Sequence, residues 1–191
     1  MRWDDLFDDL ESQLERELSA EELDLQIEEE RLRLGRLSVR ERLLALGSGT
    51  IAVTLVTGER FTARPVAFGR DWFSADVGVE RVRQCVIPLG AIAGISLAPG
   101  LVGGSLAGVA DAGGHPSLSD RLGLAFVLRD LCRRRRAVDL VLASGEAHGT
   151  IDRVGRDHVD LAVHDRGEPR REGAVREVRI VPLAALLLVP L

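Results

Sequence analysis

The residues in this chain whose types and spacing could do chemistry are histidine and aspartate. There are four histidines, His115, His148, His158 and His164. His158 and His164 are an even number of residues apart, so within a strand they share one face. Asp157, Asp160 and Asp165 lie beside them. A metal site needs three or four convergent ligands, and these residues match no recognised ligand spacing, so ordinary surface or turn histidines are expected. Ser48-Gly49 and Ser144-Gly145 lack the GxSxG frame of a nucleophile elbow. The glycines of segment 98–118 form neither GxGxxG nor GxxxxGK[ST]. Cys85 and Cys132 are far apart and outside any CxxC pair, which fits two small buried apolar residues rather than a disulfide or zinc site. The chain is therefore expected to use no cofactor, bind no metal and catalyse no reaction.

Charge is the stronger signal. Residues 1–30 carry 13 Asp and Glu against two Arg, whereas the chain as a whole is −5, so an acidic arm of −11 precedes a body of +6. All 25 basic residues are arginine, and lysine, asparagine and tyrosine are absent, a usage that GC-rich coding produces without any arginine-specific function. Arg133, Arg134, Arg135 and Arg136 form a run, and Arg170 and Arg171 lie in a charged stretch. With Trp72 they are the candidates for nucleic-acid contact, set against helix-end capping or simple solvation for the arginine run. Trp3, Leu6, Phe7, Leu10 and Leu14 recur at steps of three and four and predict an amphipathic helix; they are the candidates for protein contact or self-association. No apolar run reaches the roughly 18 residues of a spanning helix, and the acidic start does not fit a secretory signal. A cytoplasmic location without membrane association is the expectation.

The elements that must position these residues can be read from the change in period. The arm, 1–35, reads as helix with a break at Gly35. Ser38 and Glu41 form a capping box and predict a short helix to about Leu46. From Ile51 the period becomes two. Ile51–Val56, Arg60–Phe68, Trp72–Val77, Arg83–Ile87 and Ala91–Leu97 predict five short strands. Segment 98–118 is glycine-dense and reads as a linker or mobile loop. Ser119 then caps an expected helix from Asp120 to about Arg135, with Leu122, Phe126, Leu128 and Leu131 on its buried side.

After that helix the pattern repeats. Thr57-Gly58-Glu59 matches Ser144-Gly145-Glu146, Gly69-Arg70-Asp71 matches Gly155-Arg156-Asp157, and Ile87-Pro88-Leu89 matches Val181-Pro182-Leu183. The second copy carries a charged hairpin-like excursion, Asp165–Val175. The glycines are expected at a hairpin turn and at a bend, and the prolines at an edge or at the connection of the last two strands. Four segments follow: the arm at 1–35, module one at 36–97, the linker at 98–118 and module two at 119–191.

A helix followed by five short bent strands resembles the Sm-like (LSm) barrel. Val138–Leu142, Gly145 and His158-Val159-Asp160-Leu161 are similar to that family's first motif. Val53–Val56, Gly58 and Trp72-Phe73-Ser74-Ala75 do the same in copy one. Ile87–Ile95 and Val181–Val189 follow the apolar spacing of the second motif. The resemblance implies an α+β chain, mainly β with helices, of two tandem five-stranded bent barrels, each preceded by a short helix. The family's base-binding Asn and Arg-Gly are replaced by Ser74 and Asp160 and by Pro88-Leu89 and Pro182-Leu183, so the family's RNA pocket is not expected. The arginine usage resembles that of actinobacterial proteins. The expected function is a binding, scaffold or regulatory protein that works through protein contacts; the alternative is RNA or DNA binding on a noncanonical basic surface restrained by the acidic arm.

Overall fold

A computed structural model of the chain describes residues 3–78, 82–107, 118–168 and 170–191, with side chains for all of these except 3–18, 20, 118 and 119. The chain divides into two compact units, 1–39 and 40–191. The first is built on one helix, α1 (Trp3–Arg36). Gly35 does not break it; the single glycine adds about 1 kcal/mol of helix cost, too little to end so long a run. None of the helices among the described residues is long and apolar enough to cross a membrane.

The second unit is α+β. Helix α2 (Val39–Leu46) leads into β1 (Ile51–Leu55), β2 (Arg60–Phe68), β3 (Trp72–Val77), β4 (Arg83–Pro88) and β5 (Ile92–Ser96). Helices α3 (Pro99–Leu106) and α4 (Leu124–Arg133) follow, then β6 (Ala137–Leu142), β7 (Gly145–Val154), β8 (His158–Val163), β9 (Glu177–Pro182) and β10 (Leu186–Pro190). Strict alternation makes these strands: Ile51, Val53 and Leu55 are buried while Ala52 and Thr54 are not, and Val138, Leu140 and Leu142 repeat that pattern in β6.

The ten strands form one sheet in the order β5-β1-β2-β3-β4-β10-β6-β7-β8-β9. The two expected closed barrels are instead two halves of one continuous sheet with two open ends. Each half has the same internal order and register. Ala63↔Val77 and Phe68↔Phe73 in β2–β3 recur as Gly149↔Val163 and Val154↔Val159 in β7–β8, with an irregularity at the same place. Trp72↔Pro88 and Val77↔Arg83 recur as His158↔Pro182 and Val163↔Glu177.

The landmark residues explain this register. Gly58 and Gly145 close the first hairpins with φ of 86° and 117°, a region open chiefly to glycine. Gly69 and Gly155 lie at the expected bends, their N–H groups donating to the Trp72 and His158 carbonyls at 2.8 Å each, and they serve a second purpose there. A Cβ on Gly69 would lie 2.1 Å from Trp72 Nε1, and one on Gly155 2.5 Å from His158 Cε1. These glycines allow a ring to lie flat on the backbone. Pro88 and Pro182 end β4 and β9 and lead into short 3-10 turns, Leu89–Ala91 and Leu183–Ala185.

Three helical expectations need correction. Segment 98–118 contains α3, which begins with Pro99 in the first turn and is held to α2 by Arg42 Nη2 donating to Ser105 Oγ at 2.8 Å. The helix expected from Asp120 is a 3-10 turn at Leu118–Arg121 followed by α4 from Leu124, with Gly123 rather than Ser119 at its cap position. Its buried side is Leu124, Leu128 and Leu131, and Phe126 is exposed. The start of α4 is set from a distance: the Leu124 N–H donates to Asp71 Oδ1 at 2.7 Å. A carboxylate at a helix N-terminus satisfies an otherwise orphaned donor and favours the dipole. Asp71→Ala should therefore lower unfolding free energy by about 1 kcal/mol, read as a reduced urea midpoint.

Candidate interaction surfaces

The halves meet where β4 pairs with β10, Val86 opposite Val189 and Cys85 opposite Pro190. The Leu191 N–H also donates to the Gln84 carbonyl at 2.9 Å. Side chains cross this junction in both directions. Trp72 and Val86 belong to the hydrophobic cluster of the second half, with Leu124, Leu128, Leu131 and Leu140. Leu187 belongs to that of the first half, with Leu43, Phe73 and Ile87. Trp72 Nε1 donates to the Leu122 carbonyl at 3.0 Å, and the Arg70 N–H donates to the same carbonyl at 2.9 Å. Arg40 spans the same region, donating to the Gly69 carbonyl and to Asp120 at 2.6 Å each. Trp72 is thus only 8% exposed and is a core residue of the junction, not a stacking platform for a base.

The two ends of the sheet are its open surfaces. Among the described residues, β5 pairs only with β1 and β9 only with β8. On β9, Val178 and Ile180 are 57% and 68% exposed. The charged residues of that strand are bonded to each other, Arg179 Nε donating to Glu177 Oε1 at 3.0 Å.

Several arginines gather around the C-terminal end of α4 and β7. Arg133 and Arg134 both bind Asp130, at 2.5 and 2.6 Å, one turn back on α4. Arg135 ends the helix in the left-handed region at φ 51°. Arg170 grips Asp152 of β7 with Nε and Nη2 at 2.9 and 2.6 Å. The Arg170 guanidinium holds the Asp152 carboxyl below its ordinary value, with Arg135 and Arg153 adding to the field. The excursion after β8 is in this way folded back toward the C-terminal end of α4. Sequence alone separates these two arginine groups; Asp152 is the residue that joins them. Arg135, Arg136 and Arg171 have no ion pair among the described residues.

The histidines are rearranged relative to the sequence expectation. His158 pairs with Asp157 at 2.9 Å, Asp160 with Arg153 at 3.3 Å and Asp165 with Arg176 at 2.5 Å. His164 instead packs edge-on against His148, ring centroids 5.3 Å apart. His164 Nδ1 donates to the Asp165 carbonyl and its Nε2 accepts from Thr150 Oγ1. His148 Nδ1 donates to Asp139 Oδ1 at 2.7 Å, and Arg166 reaches the same carboxylate. No group of three or more His, Cys, Asp or Glu among the described residues is arranged to hold a metal ion. His115 lies outside the described residues. The backbone of α1 holds Trp3, Leu6, Phe7, Leu10 and Leu14 at their helical spacing, and their side chains lie outside the described residues.

Scans against protein-family models, curated proteins and solved structures each found no match to this chain.

The Asp152–Arg170 pair yields a pH prediction. A carboxyl whose folded pKa is depressed contributes stability above its unfolded value, and that stability is lost as pH falls through the folded value. Asp152→Asn should cost about 1 kcal/mol at pH 7. The gap between variant and parent should close below about pH 4, the range of an unperturbed aspartate, in urea unfolding followed by circular dichroism.

Proposed function

We propose that this chain is a non-enzymatic scaffold built from two Sm-like halves, acting through protein–protein contacts made by the ends of its sheet and by the acidic arm. The observation that carries this is the open end at β9, where Val178 and Ile180 are exposed and, among the described residues, no strand other than β8 pairs with β9. An unpaired strand offers a row of backbone donors and acceptors together with side-chain pockets, which is the chemistry of strand addition. The Sm-like reading is supported by the repeated five-strand order and by the irregularity at the same point of β2 and β7. The arm supports a second contact, because its net charge is opposite to that of the body.

The experiment is affinity capture from the native cell under nuclease, comparing the full chain with Val178→Arg/Ile180→Arg and with a chain lacking residues 1–34. The edge variant should lose a protein partner retained by the parent. Identical partner sets for all three would remove the basis for the scaffold.

Nucleic-acid binding is favoured as a second function by Arg135, Arg136 and Arg171, which form no ion pair among the described residues. Log affinity for single-stranded RNA should fall linearly with log salt, and each of Arg136→Ala and Arg171→Ala should reduce that slope by roughly one. Filter binding at low salt with no retention, with or without the arm, would rule it out.

A further inference from the structure

We infer that the partner of the acidic arm is the arm of a second copy of this chain, the two α1 helices lying antiparallel along one apolar stripe. The inference rests on the arm contact proposed above and names its partner. Helix α1 runs without interruption from Trp3 to Arg36, and a helix brings residues three, four and seven apart to one face. The positions Trp3, Phe7, Leu10, Leu14, Leu18, Leu25 and Leu32 are joined by such steps. The stripe therefore extends along nearly the whole helix, with Glu21 and Glu28 set between its last leucines. Leu25 and Leu32 are 66% and 53% exposed. Helices in proteins take most of their stability from packing of an apolar face, so a row of leucines of this length calls for a cover.

Charge selects the occupant and its direction. Residues 3–11 carry five Asp and Glu and no Arg, whereas residues 31–36 carry three Arg and no Asp or Glu. Parallel arms would set acid against acid along their first turns. Antiparallel arms bring the acidic beginning of each alongside the basic end of the other, and complementary charge of this kind fixes orientation and register. Arg31 pairs with Glu28 at 3.8 Å and Arg33 with Glu30 at 2.6 Å, one turn back on the same helix, with all four side chains reaching solvent. Surface pairs of this type contribute little, so they do not oppose a turn of these arginines toward a partner.

The stripe also has its own antiparallel register. When Trp3 is set opposite Leu32 of the second copy, Leu10 falls opposite Leu25, Phe7 opposite Glu28 and Leu14 opposite Glu21. No layer then sets one glutamate of the stripe against another. A shift by one heptad in either direction leaves Leu32 or Trp3 beyond the partner's stripe. Because each position and its opposite exchange roles between the two copies, the contact is isologous and closes at two chains. It uses neither end of the sheet.

The test uses the full chain. Light scattering after size exclusion should give a two-chain mass, and Leu25→Glu should reduce it to one chain while the body unfolds at an unchanged temperature, since that side chain is exposed. Arg31→Glu/Arg33→Glu should raise the dimer dissociation constant roughly tenfold, because it reverses the charge that favours the antiparallel direction. In a Cys132→Ser background, Trp3→Cys and Leu32→Cys chains should crosslink when mixed and oxidised, and neither should do so alone. Four results would overturn the inference: a one-chain mass at every concentration, a two-chain mass that survives Leu25→Glu, a dimer unweakened by the arginine reversals, or crosslinking by either cysteine variant alone, which would mean that the arms are parallel. A one-chain mass together with a captured protein lost on deletion of residues 1–34 would sink self-pairing and leave the arm contact standing; a one-chain mass with no partner lost on that deletion would sink both.

Discussion

The rest of this structure depends on the hydrogen-bonded junction of β4 with β10. It converts two short sheets, each with two edges, into one ten-stranded sheet. It also decides where the cores lie, because neither hydrophobic cluster is confined to its own half. Trp72, Val86 and Leu187 each pack in the cluster of the opposite half, and each side chain of this size contributes about 1.5–3 kcal/mol when buried. Helix α4 belongs to the same arrangement. It is first held by Asp71 of the preceding half and then packs Leu128 and Leu131 against the second. A five-stranded half of this length has a small core and benefits from such sharing.

Carrying both halves on one chain changes how that junction forms. The second half is never at low concentration relative to the first, so its docking is intramolecular. The connecting segment adds little cost, because loop-closure entropy rises only slowly with length. It is also not a passive tether: α3 begins directly after β5 and is anchored to α2 by the Arg42–Ser105 bond. Covalent linkage further frees the halves to diverge. The ring that lies over the bend glycine is Trp72 where the junction needs an apolar cover and His158 where it meets solvent. The same divergence appears in β4 and β9, where Cys85 is replaced by the exposed Arg179.

Local order was legible in the sequence where it depends on neighbours a few residues away. The period of two located β1 to β5 to within a residue or two, and Gly58 and Gly145 marked the hairpins because a left-handed backbone is a property of the residue itself. The order of the landmarks gave the repeat. What depends on distant residues was not legible. The N-terminus of α4 is stabilised by an aspartate 53 residues away, so Ser119, a good local cap, was the wrong one. His148 and His164 meet because Gly149 pairs with Val163, a register that spacing along one strand does not contain. The partners of the arginines were not legible, because Arg133 and Arg134 meet Asp130, and Arg170 meets Asp152, only once α4 and β7 are in place. Closure was misjudged for a related reason: five strands per copy suggest a barrel, whereas the edge strands are directed to each other's halves.

The two ends of the sheet are unlike in how they are guarded. Edge strands in soluble proteins are commonly guarded by charge, proline or distortion. β9 is guarded on one face only: Glu177 and Arg179 bond to each other along the strand, while Val178 and Ile180 occupy the other face. β5 carries no charge at all, reading Ile92-Ala93-Gly94-Ile95-Ser96. An unguarded strand is a liability for any chain that stays alone, because it accepts pairing without discrimination. It is not a liability when a partner of matching register is always at hand. The β10 edge, equally uncharged as Leu186-Leu187-Leu188-Val189-Pro190, is safe for that reason, since β4 of the same chain covers it. β5 has the same uncharged composition as β10, and among the described residues its outer edge has no such cover.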